Sequence, residues 1–248
     1  WFVDLEAPSV EYIATSPQYA RGGSISATWT GTEVTPTSVS GAVFTDHRGV
    51  LRECDTLAAE DTRRTRQLLT AHDIKRQVIS CHQFNEAARS GQLLDRLANG
   101  ETVALVSDAG MPGISDPGER IVRAALAAGH PVDALPGPCA LTTALPASGL
   151  PTAEFHFTGF LPPKSTARQR RLAELDAVPG TLCFYESPHR ITRLLGELSA
   201  QWPEAEIVLA RELSKKFQEY LRGTAAELAA HYDERKPKGE YVVLVNRG

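Results

Sequence analysis

The sequence predicts an α/β protein built of two α/β domains, on three observations. From Asp55 onward, short apolar β-branched runs alternate with segments whose apolar residues recur at helical spacing, the rhythm of a parallel sheet covered on both faces. Two Gly/Pro-rich loops, residues 107–118 and 136–138, each follow such a run directly. Gly149-Leu-Pro151 then interrupts the rhythm and marks a domain boundary. The division expected is an atypical segment at residues 1–48, an N-terminal α/β domain at 49–150 and a C-terminal α/β domain at 151–248.

Residues 1–48 fit neither domain. Residues 10–14 suit a strand, but residues 16–49 are rich in Ser, Thr and Gly and have no helical period. Ser24, Ser26, Thr28, Thr30 and Thr32 alternate with Ile25, Ala27, Trp29 and Gly31, which suits a strand or disorder better than a helix. From Asp55 the expected order is strand 56–59, helix 62–72, strand 77–81, and a helix over 85–99 ended by Gly100. Strand 101–106 leads into Ser107-Asp108-Ala109-Gly110-Met111-Pro112-Gly113-Ile114-Ser115-Asp116-Pro117-Gly118, and the apolar residues Ile121, Val122, Ala125 and Leu126 predict a helix after it. Strand 132–135, the turn Pro136-Gly137-Pro138 and a helix over 139–148 complete this domain.

The second half opens on alternating aromatics at 154–160, which read as a strand. Helix 166–177, strand 181–185, helix 188–200 and strand 206–210 follow. Strand 217–221, helix 225–232 and strand 240–245 end the chain, so an antiparallel element is expected here.

Composition bounds the function. A hydrophobic share of 42% and a charged share of 23% are those of an ordinary soluble globular protein. No apolar run approaches the ~20 residues of a membrane span, and residues 1–12 carry Asp4, Glu6 and Glu11 without a basic residue, unlike a signal peptide. The four cysteines, Cys54, Cys81, Cys139 and Cys183, are widely spaced, fit no metal pattern and read as reduced core residues of a cytoplasmic protein. A net charge of −4 argues against a wholly basic nucleic-acid coat but leaves room for a local basic face.

The two loops carry the functional signal. In open α/β sheets ligands bind beyond the carboxyl ends of strands, where such loops sit. Glycines let backbone approach a ligand, prolines hold the loop in one shape, and Asp108 and Asp116 add acceptors for hydroxyl or amino groups. Two such loops at successive strand ends suggest one shared pocket.

Ala59-Glu-Asp-Thr-Arg63, the segment 107–118, Pro136-Gly137-Pro138 and Phe184-Tyr-Glu-Ser-Pro-His-Arg190, in that order, resemble the tetrapyrrole methylase family. Within it they are most similar to its ribosomal RNA branch, the small-subunit (16S) rRNA (cytidine-2′-O)-methyltransferases. The resemblance runs from about Gly49 to Gly248 and begins abruptly. A displaced reading frame or a mispredicted start would explain that onset, since in the family an opening strand, glycine loop and helix complete the cofactor pocket.

The resemblance implies an S-adenosylmethionine-dependent enzyme with its cofactor cleft between two domains, a ribosomal RNA substrate of the small subunit, a homodimer, and no membrane or metal partner. It assigns Ser107, Asp108, Ala109, Gly110, Met111, Pro112, Gly113, Asp116, Pro136, Gly137, Pro138 and Ala140 to the cofactor. It places further contacts of the second domain near Phe160-Leu161, Tyr185-Glu186, Arg211-Glu-Leu213 and Gly239-Glu240. A small tetrapyrrole-like or protein substrate, or a non-catalytic RNA-binding remnant, is the alternative.

A ribose 2′-hydroxyl is a poor nucleophile, so a general base or an oriented polar group should help. Asp61, His82, Glu186, His189 and Lys216 are candidates, with Asp61 and Glu186 placed at the catalytic site. Glu60-Asp61 reads equally as a helix cap with its first-turn acid, and Glu186 could pair with Arg190 four residues on. For RNA phosphates, Arg63, Arg64 and Arg66 form one cluster, and Lys215-Lys216 another. Lys164, Arg168, Arg170, Arg171, Arg190 and Arg193 face three acids, Glu174, Asp176 and Glu186, in the same stretch. Of these, Arg63, Arg64, Lys164, Arg168, Arg170, Arg171 and Arg190 are the RNA-binding candidates, although such a run is usually a solvated face.

Overall fold

In the computed structural model, residues 47–108 and 110–248 are described. The expectations for residues 1–46, including the strand at 10–14, lie outside them. The chain divides into two compact units, Trp1–Pro138 and Cys139–Gly248.

In the first unit α1 (His47–Glu53) is followed by β1 (Thr56–Ala59), α2 (Thr62–Ala71), β2 (Gln77–Ser80), α3 (Glu86–Ala98), β3 (Val103–Val106) and α4 (Glu119–Ala127). The strands make one parallel sheet in the order β2-β1-β3. All of β1 is buried, as a central strand covered on both faces must be. Its side chains alternate: Leu57 joins Leu51, Cys54, Leu69 and Ile74 on one face, while Ala58 joins Ile79, Cys81, Leu93 and Ile121 on the other.

The helix termini explain the local fold. Asp61 caps α2 by accepting a hydrogen bond from the Arg63 main-chain N–H at 2.8 Å. The N-cap of α4 is Gly118, which has no side chain to offer. Buried Glu86, in the first turn of α3, supplies it instead: its Oε1 accepts from the N–H groups of Gly118 and Arg120, both at 3.0 Å. One carboxylate thus ties the starts of two helices together.

Residues 132–135, expected as a strand, are irregular. A strand needs a hydrogen-bonded neighbour, and among the described residues β3 pairs with β1 alone. Helix α1, in turn, begins inside the segment expected to be atypical.

The second unit starts with α5 (Ala140–Ser148), then β4 (Phe155–Phe160), α6 (Ser165–Leu175), β5 (Thr181–Glu186), α7 (Ile191–Gln201), β6 (Glu206–Arg211), β7 (Glu219–Gly223), α8 (Ala225–His231) and β8 (Tyr241–Asn246). Its sheet runs β4-β5-β8-β6-β7; β4 pairs parallel with β5 and the remaining pairs are antiparallel. The last strand therefore inserts at the centre. Leu172, Leu175, Leu194, Leu195, Leu198 and Leu228 from three helices pack on Leu182, Phe184, Leu209, Val243 and Val245 of the sheet. Helix α5 packs against β6 and β8 within this unit, and Arg222 closes its carboxyl end by donating to the carbonyls of Ala147 and Ser148 at 2.7 and 3.1 Å.

Candidate functional site

The loop after β3 and the turn at 136–138 meet. A side chain on Gly137 would lie 2.7 Å from the sulfur of Met111, and one on Gly110 would lie 3.2 Å from the carbonyl oxygen of Pro138. Gly110 also has φ +132°, which side-chain-bearing residues rarely adopt. The two loops can therefore touch because these positions are glycine. The same loop holds a strained residue, Ser115 at φ +61°, and uses glycine at position 118 for φ +144°.

The acids of the loop are wired to the end of β1. The Asp61 N–H donates to Asp108 Oδ1 at 3.2 Å, the Asp108 N–H donates to Glu60 Oε2 at 3.4 Å, and Arg64 pairs with Asp108 at 3.5 Å. The Ser107 hydroxyl donates a hydrogen bond to the Asp116 carboxylate. Burial, together with the charges of Asp116 and Asp108, raises the Glu60 carboxyl above the usual carboxylate range. Asp61 goes the other way, held well below that range by hydrogen bonds from Arg63. Its carboxylate is a cap and an arginine anchor, and so a weak proton acceptor.

A cavity of about 610 Å³ opens beside these acids, lined by Glu60, His82, Phe84, Asp116 and Arg120 among others. Asn85 sets the loop that carries His82: its side chain accepts from the His82 N–H at 2.8 Å and donates to the Ser80 carbonyl at 3.3 Å. The buried His82 Nδ1 has no hydrogen-bond partner among the described residues. Phe84 is 87% exposed.

The other predicted positions lie in the second unit. Glu186, at the end of β5, is buried; one oxygen accepts from the Ser187 N–H at 2.7 Å and the other from Arg190 at 2.8 Å. Arg190 also donates to the Leu161 carbonyl at 2.8 Å. Ala140 opens α5, whose first turn is pinned where the Leu141 N–H donates to the Tyr185 hydroxyl at 3.2 Å.

The arginine candidates separate by burial. Arg63, Arg64, Lys164 and Arg170 are exposed, and Arg171 is partly so. Arg168 is a correction to the RNA-facing set: it is 1% exposed, doubly bonded to Glu197 and bonded to the carbonyls of Pro162 and Pro163. Its charge is consumed within the core. Arg190 is likewise engaged. Among the described residues no group of three or more His, Cys, Asp or Glu could hold a metal ion, and no helix is long and apolar enough to cross a membrane.

Sequence reasoning passed over Phe84 and Glu86. The signal for Phe84 was a large aromatic in an otherwise polar strand-to-helix loop, Cys81-His-Gln-Phe-Asn85. Glu86 was indistinguishable from an ordinary first-turn acid, because its partners lie 32 and 34 residues away.

Residues 47–229 match the tetrapyrrole (corrin/porphyrin) methylases. The chain belongs to this family. Among its relatives is the ribosomal RNA small subunit methyltransferase I of Xylella fastidiosa, 49% identical over 199 residues, which cover 79% of this chain and 73% of that one. The protein of the same name from Thermotoga maritima is 41% identical over 196 residues, 79% of this chain and 88% of that one. In fold the chain is similar to a uroporphyrin-III C-methyltransferase from Thermus thermophilus solved with S-adenosylhomocysteine (TM-score 0.52, 20% identity, 79% of this chain and 87% of that one). The mixed α/β architecture is thus that of a tetrapyrrole methylase.

Proposed function

We propose that this chain transfers a methyl group from S-adenosylmethionine to the ribose 2′-hydroxyl of a cytidine in small-subunit ribosomal RNA. The observation that carries the reading is the close similarity to relatives named ribosomal RNA small subunit methyltransferase I over four-fifths of the chain. The glycines at 110 and 137 let the two loops of the proposed cofactor site approach each other, which keeps their residues together. Residues 107–113, Asp116 and the turn 136–138 are the proposed cofactor-binding set, with the carboxylates of Asp108 and Asp116 accepting from hydroxyl and amino groups.

When bound, S-adenosylmethionine supplies a methyl on a sulfonium, a leaving group that needs no metal assistance. The protein's part is positioning. Asp61 holds Arg63 and, through its N–H, Asp108. Glu186 acts as a positioning group for Arg190. For the 2′-hydroxyl proton the first unit offers the part-exposed His82, which lines the cavity beside Glu60 and Asp116. Exposed Arg63, Arg64, Lys164, Arg170 and Arg171 are the proposed phosphate contacts, because a surface ion pair such as Arg63–Asp61 is cheap to exchange. We further propose a cytoplasmic homodimer, by likeness to the family.

Calorimetric titration of S-adenosylmethionine into the full chain tests this. The expected result is micromolar binding, about 8 kcal/mol, abolished by the double substitution Asp108→Ala and Asp116→Ala in a variant that still melts cooperatively. Absence of binding by the unaltered chain would overturn the reading.

A further inference from the structure

The cavity between the loops that end β1, β2 and β3 excludes Met111 and Gly137 but shares Gly113 and Asp116 with the proposed cofactor-binding residues, and its lining has a definite chemical preference. Glu60, Asp116 and Glu119 face it with one guanidinium, that of Arg120, so a phosphate would be repelled. Glu86 is already committed to the start of α4. Glu60 uses Oε2 for the Asp108 N–H, and its other oxygen carries no hydrogen bond among the described residues. At the rim stands Phe84, 87% exposed, its ring edge-on to His82 with centroids 6.1 Å apart. An exposed phenylalanine on an ordered loop has an apolar face with no protein partner, the arrangement by which proteins stack an unpaired base.

Resting on the RNA-methylating reading above, we infer that this cavity receives the target cytosine, stacked on Phe84 with its exocyclic amino group donating to Glu60. The chemistry selects the base. A carboxylate accepts from the N4 amino group of cytosine, whereas uracil presents a carbonyl oxygen at that edge and would be repelled. The ring's own acceptors, N3 and O2, can take hydrogen bonds from the Arg120 guanidinium. The volume of about 610 Å³ is ample for one nucleoside.

The test uses the full chain, small ribosomal subunits lacking the modification, and methyl-labelled S-adenosylmethionine. Calorimetry of cofactor binding and thermal melting accompany each variant. Phe84→Ala should lower kcat/KM for the subunit ten- to hundredfold, mainly through KM, because base stacking is worth that much. Cofactor affinity should stay within twofold, and melting should be unchanged, since the side chain is exposed. Phe84→Trp should restore kcat/KM to within threefold of the parent, and Glu60→Gln should lower it at least tenfold with cofactor binding intact. The inference is overturned if Phe84→Ala turns over like the parent, or if Phe84→Trp fails as badly as Phe84→Ala. Failure of the underlying reading looks different: the unaltered chain itself would neither bind the cofactor nor methylate the subunit.

Discussion

Glu60 and Asp61 are adjacent carboxylates pushed in opposite directions by their surroundings. Asp61 faces solvent and accepts three hydrogen bonds from the main chain and side chain of Arg63. Glu60 is half-buried among like charges. A raised folded-state pKa means that the folded protein holds the proton more tightly than the unfolded chain does. Ionising Glu60 therefore costs stability, a cost absent below the unfolded-state value of about 4.3 and growing as pH rises through the higher folded value. Glu60→Gln, which mimics the protonated acid, should melt above the parent at pH 7. The gap should close below about pH 4, and a gap that persists there or reverses sign would refute the account. Neither behaviour is visible in the dipeptide itself: Asp61 is set by Arg63 two residues on, and the like charges that act on Glu60 lie 48 and 56 residues further along the chain.

At the scale of elements, the strand-loop-helix unit β3–loop–α4 shows how glycine positions differ in meaning. A Cβ on Gly118 would sit 2.7 Å from a methyl of Leu105 and 3.2 Å from the Gly113 nitrogen, at φ +144°. Gly118→Ala should therefore destabilise the protein by about 1–3 kcal/mol. Gly91, inside α3, has an ordinary φ and open space around it, so Gly91→Ala should stabilise by about 0.4–1 kcal/mol. Chemical denaturation of both variants checks the pair; equal effects would mean that the loop is not held as described. The helices and strands themselves were legible from periodicity, with ends shifted by a few residues at most in nearly every case. The strand expected at 132–135 was not observed, because an apolar run becomes a strand only when a neighbour supplies its hydrogen bonds.

Across the whole molecule, the cysteines distribute evenly: Cys54 and Cys81 in the first unit, Cys139 and Cys183 in the second, all buried. Burial pushes the Cys81 thiol up to about 11 and that of Cys183 to about 12. Native protein should therefore yield less than one thiol to an aromatic disulfide reagent at pH 8 within minutes, and all four in denaturant. Rapid reaction of two thiols in native buffer would show that one unit opens on its own. The same thiols agree with the reading of these residues as reduced core positions.

The sequence by itself determined the α/β class, the order of nearly every strand and helix, the family, and the two loops proposed to hold the cofactor. These are local signals: period, turn chemistry and contiguous motifs survive without knowledge of the fold. Only the tertiary structure decided which charged residues are spent internally. Arg168 looked like one cation in a basic run, yet it is buried against Glu197, 29 residues away. Glu86 looked like a first-turn acid, yet it caps a different helix. Phe84 carried no assignment from the sequence, yet it stands in solvent over a cavity. For Arg168 and Glu86 the partner is distant in sequence, and a side chain's burial and charge state depend on what the fold brings beside it.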